Sequence, residues 1–206
     1  IRRQRQMCIR DSGKVRLGFH QVTRPEGNNT LESYVSNARG MNVIVPTWFN
    51  VVSGDGTYTS LASRDYVDKA HDMGLKVWAM VENVSTEESV KNLNTKTLMS
   101  STSTRKKLIE KLMNEADTYG FDGFNLDFES LKAEAGPHYV QFIREMSVAC
   151  RNKGLVLSVD NYVPSSYTAF YNRREQGIVA DYVIVMGYDE HYAGGCLLYT
   201  SDAADE

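Results

Sequence analysis

The chain has 206 residues, 26 acidic and 23 basic, with a net charge of −3 at pH 7. That near-balance supplies no basic field for nucleic acid, and no apolar run reaches the length of a membrane span. Three cysteines without ligand spacing leave no basis for a disulfide framework or a zinc site.

In chain order the first segment, residues 1–12, belongs with the last, residues 196–206. The reverse complement of a back-translation of CLLYTSDAADE (Cys196 to Glu206) encodes RRQRQMCIRD (Arg2 to Asp11). Agreement of that length is not chance, so both ends are expected to be sequencing-adaptor artefact and are set aside from the fold. The alternative is a natural basic arm and acidic tail. Removing Arg2, Arg3, Arg5 and Arg10 together with Asp11, Asp202, Asp205 and Glu206 leaves the net charge as it was. Cys150 then remains as a single thiol on a helical stretch, where it reads as a small hydrophobe.

Within residues 13–195, short apolar runs alternate with amphipathic ones. VRLGFHQV (Val15 to Val22) reads as a first strand and MNVIVPTWF (Met41 to Phe49) as a second. Ser63 caps a helix carrying Tyr66, Val67, Ala70 and Met73, and Gly74 stops it. LKVWAMVEN (Leu75 to Asn83) is the third strand. Ser85 and Glu88 have the spacing of a capping box for a short helix, and a longer one from about Thr104 presents Leu108, Leu112, Ala116 and Tyr119 before Gly120. GFDGFNLDFES (Gly120 to Ser130) holds the fourth strand. Pro137 opens a helix with Val140, Ile143, Met146 and Cys150 on its apolar face, ending at Gly154. LVLSVDNY (Leu155 to Tyr162) is the fifth strand, a helix covers Tyr167 to Glu175, and DYVIVMGYD (Asp181 to Asp189) is the sixth.

Such alternation, with nearly continuous apolar strands, predicts a parallel sheet covered by helices. No glycine-rich phosphate loop follows any of the strands, which favours a (β/α)8 barrel over the nucleotide-binding folds. A barrel of that kind takes about 250 residues. Residues 13–195 are therefore expected to be a partial barrel, cut after about its sixth strand.

The fourth strand threads carboxylates through an apolar run. Side chains alternate faces along a strand, so Asn125, Asp127 and Glu129 share one side while Phe124, Leu126 and Phe128 share the other. The polar column should line the barrel interior near its top. Catalytic groups of barrels project from the C-terminal strand ends, which makes Glu129 a candidate general acid. A satisfied polar ring in a barrel mouth is the plainer alternative.

DGFNLDFE (Asp122 to Glu129) resembles the fourth-strand DGxDxDxE signature of glycoside hydrolase family 18, the chitinases and N-acetylglucosaminidases. MGYD (Met186 to Asp189) is similar to that family's MxYD. The resemblance covers residues 13–195 and implies a substrate-assisted retaining hydrolase acting next to N-acetylglucosamine, without cofactor or metal. It implies that Glu129 protonates the leaving oxygen, while the substrate's own 2-acetamido oxygen is the nucleophile. Asp127 would orient that acetamido group and Tyr188 would donate a hydrogen bond to it. Asp189 and Met186 would line the sugar site, and Asp122 and Gly123 would be structural.

Two departures bear on the substrate. Asn125 stands where the middle Asp of the signature is usual, and AMVENVS (Ala79 to Ser85) lacks the third-strand SxGG of typical chitinases. Both fit a bacterial branch with a DGxNxDFE motif, similar to spore cortex-lytic N-acetylglucosaminidases. That resemblance implies a peptidoglycan or chitin-like glycan as partner and an extracytoplasmic place of action. A signal peptide is not observable, and the sequence does not set an oligomeric state.

Trp48 and Tyr162, at strand ends, could stack on pyranose rings, whereas Trp78 suits core packing better. Glu82, Asn83 and Asn161 could touch sugar or only shape loops. His20, His71, His138 and His191 lack metal spacing, and Arg105 to Lys107 read as a solvated helix face. Two other functions stay open. One is a carbohydrate-binding barrel without catalysis; the other is a two-carboxylate hydrolase with Asp189 as the second acid.

Overall fold

The computed structural model describes residues 14–38, 40–83 and 88–187, with residues 88–93 described as backbone only. Its strands are β1 (Leu17–His20), β2 (Val43–Pro46), β3 (Phe49–Val51), β4 (Tyr58–Ser60), β5 (Lys76–Glu82), β6 (Gly123–Asp127), β7 (Val156–Tyr162) and β8 (Tyr182–Met186). Its α-helices are α1 (Leu31–Ser36), α2 (Arg64–Asp72), α3 (Glu88–Ser100), α4 (Thr102–Tyr119), α5 (Gly136–Lys153) and α6 (Arg173–Val179).

The sheet runs β1-β2-β5-β6-β7-β8, and every neighbouring pair along it is parallel. Parallel neighbours need crossovers, and the helices supply them. The sheet is thereby apolar on both faces. On the inner face Val43, Val45, Trp78 and Met80 cluster with Leu17, Val156 and Tyr182. On the outer face Ile44, Val77, Ala79, Val81, Phe124, Leu126, Leu157 and Val159 pack under the helices. Consecutive residues of one strand thus serve opposite layers, as the alternation requires.

The helices begin and stop where their caps dictate. Ser63 accepts the Tyr66 N–H at 3.3 Å to start α2, which buries Tyr66, Val67 and Ala70. Ser101 caps α4, Gly120 ends it, and Leu108, Ile109, Leu112, Met113 and Ala116 face the sheet. Pro137 sits in the first turn of α5. Fully burying each of the large apolar side chains stabilises the packing by roughly 1.5–3 kcal/mol. Cys150, a small hydrophobe, is buried among them, and burial pushes its thiol up to about 12.

Several elements differ from expectation. The second strand breaks at Pro46, which has no N–H to give to the ladder. Beyond it the chain re-enters as β3, pairing Phe49 with Val81 and Asn50 with Glu82 on β5, and turns back antiparallel as β4. The Thr47 hydroxyl holds the break by accepting the Val22 N–H at 2.8 Å and donating to the Val22 carbonyl at 3.1 Å. Residues Pro25–Thr30 and α1, which the sequence pattern did not disclose, fill the first crossover. The helix expected over Tyr167 to Glu175 divides into a 3-10 turn, Ser166–Tyr171, and α6. Asn172, left-handed at φ 49°, ends one and caps the other. Arg105 is not on a solvated face: it is 4% exposed, and its guanidinium donates to both Glu145 oxygens at 2.9 Å. The expected Ser85–Glu88 capping box lies outside the described residues and side chains.

Candidate active site

At the C-terminal ends of β5, β6 and β7 the inner face turns from apolar to acidic. The register pairs Met80 with Asn125 and Glu82 with Asp127 across β5 and β6. Across β6 and β7 it pairs Asn125 with Ser158 and Leu126 with Val159, so one further step brings Asp160 alongside Asp127. Paired residues of parallel strands point the same way. A polar layer of Asn125 and Ser158 therefore lies beneath a carboxylate layer of Glu82, Asp127 and Asp160.

Asn125 is fully buried. Its amide donates to the Ser158 hydroxyl at 3.0 Å and to a carboxylate oxygen of Asp160 at 2.9 Å. Its own oxygen has no hydrogen-bond partner among the described residues. Asp160 is 3% exposed, and burial pushes its carboxyl up to about 7; the Asn125 hydrogen bond opposes the shift and the Glu129 charge adds to it.

Glu129 stands just past the C-terminal end of β6. The strand ends at Asp127, Phe128 is buried outward, and Glu129 stands half-buried beyond the last ladder bond. A clamp positions it instead. The Glu129 N–H donates to Asn83 Oδ1 at 2.8 Å, and Asn83 Nδ2 donates to the Glu129 carbonyl at 3.0 Å. Asn83 also donates to the Thr95 hydroxyl at 2.9 Å, tying the clamp to α3. The next residue, Ser130, is left-handed at φ 56°, a conformation costing a non-glycine residue on the order of 1 kcal/mol. Its N–H donates to the Tyr162 hydroxyl at 3.0 Å. The Tyr171 hydroxyl accepts the Leu131 N–H at 3.3 Å and donates to the Phe128 carbonyl at 3.0 Å. The backbone on both sides of Glu129 is thus fixed by side chains from three other elements.

The structural residues of the motif have defined tasks. Asp122 accepts from His71 at 2.7 Å, Lys76 at 2.8 Å and the Val77 N–H at 2.9 Å, stapling β6 to β5 at their N-terminal ends. Burial alone would raise its carboxyl, but those hydrogen bonds outweigh it and hold the group below its ordinary value. At Gly123 a Cβ would lie 2.6 Å from the Val156 carbonyl oxygen, so the strands approach there only because the side chain is absent.

The aromatic candidates separate. Trp48 is fully buried, edge-on to Tyr66 with its indole N–H on Asn28 at 2.9 Å, so neither ring face is open to a sugar. Its position at a strand end suggested the barrel mouth, but Trp48 shares its parity with Ile44 and Pro46 and so belongs to the outer layer, under the helices. Tyr162 is half-buried at the site, its hydroxyl engaged by Ser130. Met186 is buried on β8 opposite Tyr162. Trp78 is core, tilted against Tyr182. Asn161 turns outward and donates to Gln176 at 2.6 Å, so it shapes α6 rather than meeting ligand. Tyr188, Asp189 and His191 lie outside the described residues. Asp160 and the clamping role of Asn83 went unread in the sequence, although Ser158, Asp160 and Tyr162 repeat the two-residue period seen in Asn125 and Asp127.

Among the described residues no group of histidine, cysteine and carboxylate side chains could hold a metal ion, and no helix is long and apolar enough to cross a membrane. A concavity at the opposite, N-terminal ends of the strands, lined by Lys76, Trp78, Asp122 and Tyr182, is remote from the acidic layer.

A family model described as "Glycosyl hydrolases family 18" matches residues 24–201. The cortical fragment-lytic enzyme of Bacillus subtilis (strain 168) is 28% identical over 104 residues, 48% of this chain and 24% of that protein. The chain therefore spans about a quarter of that relative's length. Among solved structures, the C-terminal domain of a putative chitinase from Desulfitobacterium hafniense DCB-2 superposes with a TM-score of 0.76 at 19% identity, covering 88% of this chain and 56% of that one. The Bacillus cereus spore cortex-lytic enzyme SleL gives 0.73 at 19% identity, covering 89% and 44%. At such identities the likeness is one of fold, and it identifies the curled parallel sheet with part of a (β/α)8 barrel.

Proposed function

The chain belongs to glycosyl hydrolases family 18, and from that premise we propose that it is a glycosidase cleaving β-1,4 linkages next to N-acetylglucosamine by a substrate-assisted retaining mechanism. The observation that carries the reading is the clamped Glu129 beside the inward layer of Asp127 and Asp160 at the C-terminal strand ends. In this reading Glu129 gives its proton to the glycosidic oxygen as the C1–O bond breaks. The substrate's acetamido oxygen bonds to C1 in the same step, forming an oxazolinium ring. Water then attacks C1 as the bond from C1 to the acetamido oxygen breaks and the ring reopens, giving a proton to the Glu129 carboxylate and restoring the original anomeric configuration. Asp127 orients the acetamido group and balances the charge that grows on it. Tyr188 donates to the same oxygen, while Asp189, Met186 and Tyr162 border the sugar.

Asn125 and the missing SxGG point to a bacterial cell-wall glycan ahead of chitin, and so to action outside the cytoplasm. The likeness to a protein called a spore cortex-lytic enzyme supports that order of preference. The test is glycan release by the full-length protein from purified peptidoglycan and from chitin oligosaccharides, with Glu129→Gln beside it. Peptidoglycan cut to products ending in N-acetylglucosamine, with a loss of about 10²-fold or more in the variant, is the expected outcome. Binding of either glycan without cleavage by the wild type would instead establish a carbohydrate-binding barrel.

A further inference from the structure

We propose that Asp160 is a positioning residue for this reaction, the acidic partner of Asp127 that the fourth strand lacks at Asn125. The inference rests on the glycosidase reading above and assigns to β7 a task that the sequence motif would place on β6.

Three observations support it. The register that pairs Asn125 with Ser158 and Leu126 with Val159 sets Asp127 and Asp160 side by side on the inner face, where parallel strands lie about 4.8 Å apart. Both amide hydrogens of Asn125 are committed to β7, one to Ser158 at 3.0 Å and one to Asp160 at 2.9 Å, which fixes the Asp160 carboxyl from below. Asp160 is 3% exposed, so it sits deeper than the half-buried Asp127.

Two adjacent carboxylates in such a layer cannot both ionise at little cost, and they hold a proton between them. Burial decides its position. The deeper Asp160 keeps the proton, and Asp127 stays anionic on the side where positive charge grows on the acetamido group. Glu129, just past β6, and the Tyr139 hydroxyl from α5 interact electrostatically with Asp160; Asp127 adjoins it on β6, Glu82 lies beyond Asp127 on β5, Tyr162 follows it on its own strand, and Ile184 stands opposite on β8. Burial, with the Glu129 charge behind it, pushes the Asp160 carboxyl up to about 7.

The experiment compares Asp160→Asn, the exchange N125D/D160N and Glu129→Gln in the full-length protein. Each is assayed for kcat, KM and the pH profile on an aryl glycoside of N-acetylglucosamine oligomers, with thermal midpoints confirming folding. Asn keeps an acceptor oxygen at the position but can hold neither charge nor proton, so a merely structural hydrogen bond would survive the single change. The expected result is a fall of about 10²-fold in kcat with KM within about two-fold. The ionisation near pH 7 should also vanish from the kcat profile. The exchange, which returns an acid to the pair from β6, should recover most of the rate and restore an ionisation. Wild-type kcat and pH profile in Asp160→Asn would overturn the proposal, as would an exchange variant no better than the single one. Glu129→Gln keeps the two failures apart. If it is inactive while Asp160→Asn is unchanged, only the role of Asp160 falls; if it is active, the assignment of Glu129 as the acid falls as well, and a wild type that leaves the aryl glycoside uncut overturns the glycosidase reading itself.

Discussion

Asn83 turns its side chain away from the inner face, yet it decides where Glu129 stands. Both backbone polar groups of Glu129 end on that one amide, and the left-handed Ser130 next to it would relax if they were released. Asn83→Ala should therefore cost activity beyond its cost in stability. A displacement of about 1 Å in the acid is worth up to about 10²-fold in kcat. The orphaned, partly buried N–H costs roughly 1–3 kcal/mol in folding. Steady-state kinetics below the melting range of the variant decide the matter: an unchanged kcat with only a lowered midpoint would reduce Asn83 to a structural residue. At this scale the sequence was legible where polar residues recur at every second position of a strand, which is how Asn125 and Asp127 stood out. Asp160 obeys the same period but is flanked by Val159 and Asn161 in a run without a familiar signature. Asn83 was opaque for another reason, since its partner is backbone 46 residues away and no local pattern encodes that.

Among the elements, the boundaries that could be read were those set by caps and glycines, at Ser63, Gly74, Gly120, Pro137 and Gly154. Their causes are local, and so they appear in the chain. The break of the second strand is also local in origin, at Pro46, but its consequence is tertiary. It brings Phe49 into the outer layer and frees β3 to pair with β5. Periodicity continued through the proline would turn Phe49 inward with Val43 and Val45, whereas Trp48, in step with Ile44, lies under the helices with or without the break. Gly123 shows the opposite case, an element contact that depends on one missing side chain. A Cβ added there would lie 2.6 Å from the Val156 carbonyl oxygen, 2.9 Å from Val156 Cβ and 3.0 Å from the Trp78 ring. Backbone cannot move away as a flexible side-chain tip could. Gly123→Ala should separate β6 from β7 at their N-terminal ends and destabilise the fold by roughly 1–3 kcal/mol, measured as a drop in the urea midpoint. A midpoint within error of wild type would mean that the strands are not held this closely in solution.

The whole molecule is a graded sheet. In β5 and β6 nearly every residue is buried, whereas on the outermost strands Phe19 of β1 is 37% exposed and Val185 of β8 is 48% exposed. Among the described residues β1 and β8 each pair on one side alone, so each presents a row of unpaired backbone donors and acceptors beside apolar side chains. Such edges template pairing with another chain, and closing a barrel is the way to abolish them. Residues 14–187 expressed alone should accordingly self-associate through these strands and unfold over a broad denaturant range. The solved barrels with which the chain aligns extend well past the aligned part, this chain covering 56% and 44% of the two compared. A longer segment that supplies the closing strands should be monomeric, with a single steep transition. Size-exclusion chromatography and urea titration of both segments make the comparison. A monomeric 14–187 segment with a steep, two-state transition would show that the inner apolar cluster and the acidic layer hold the curled sheet together without closure.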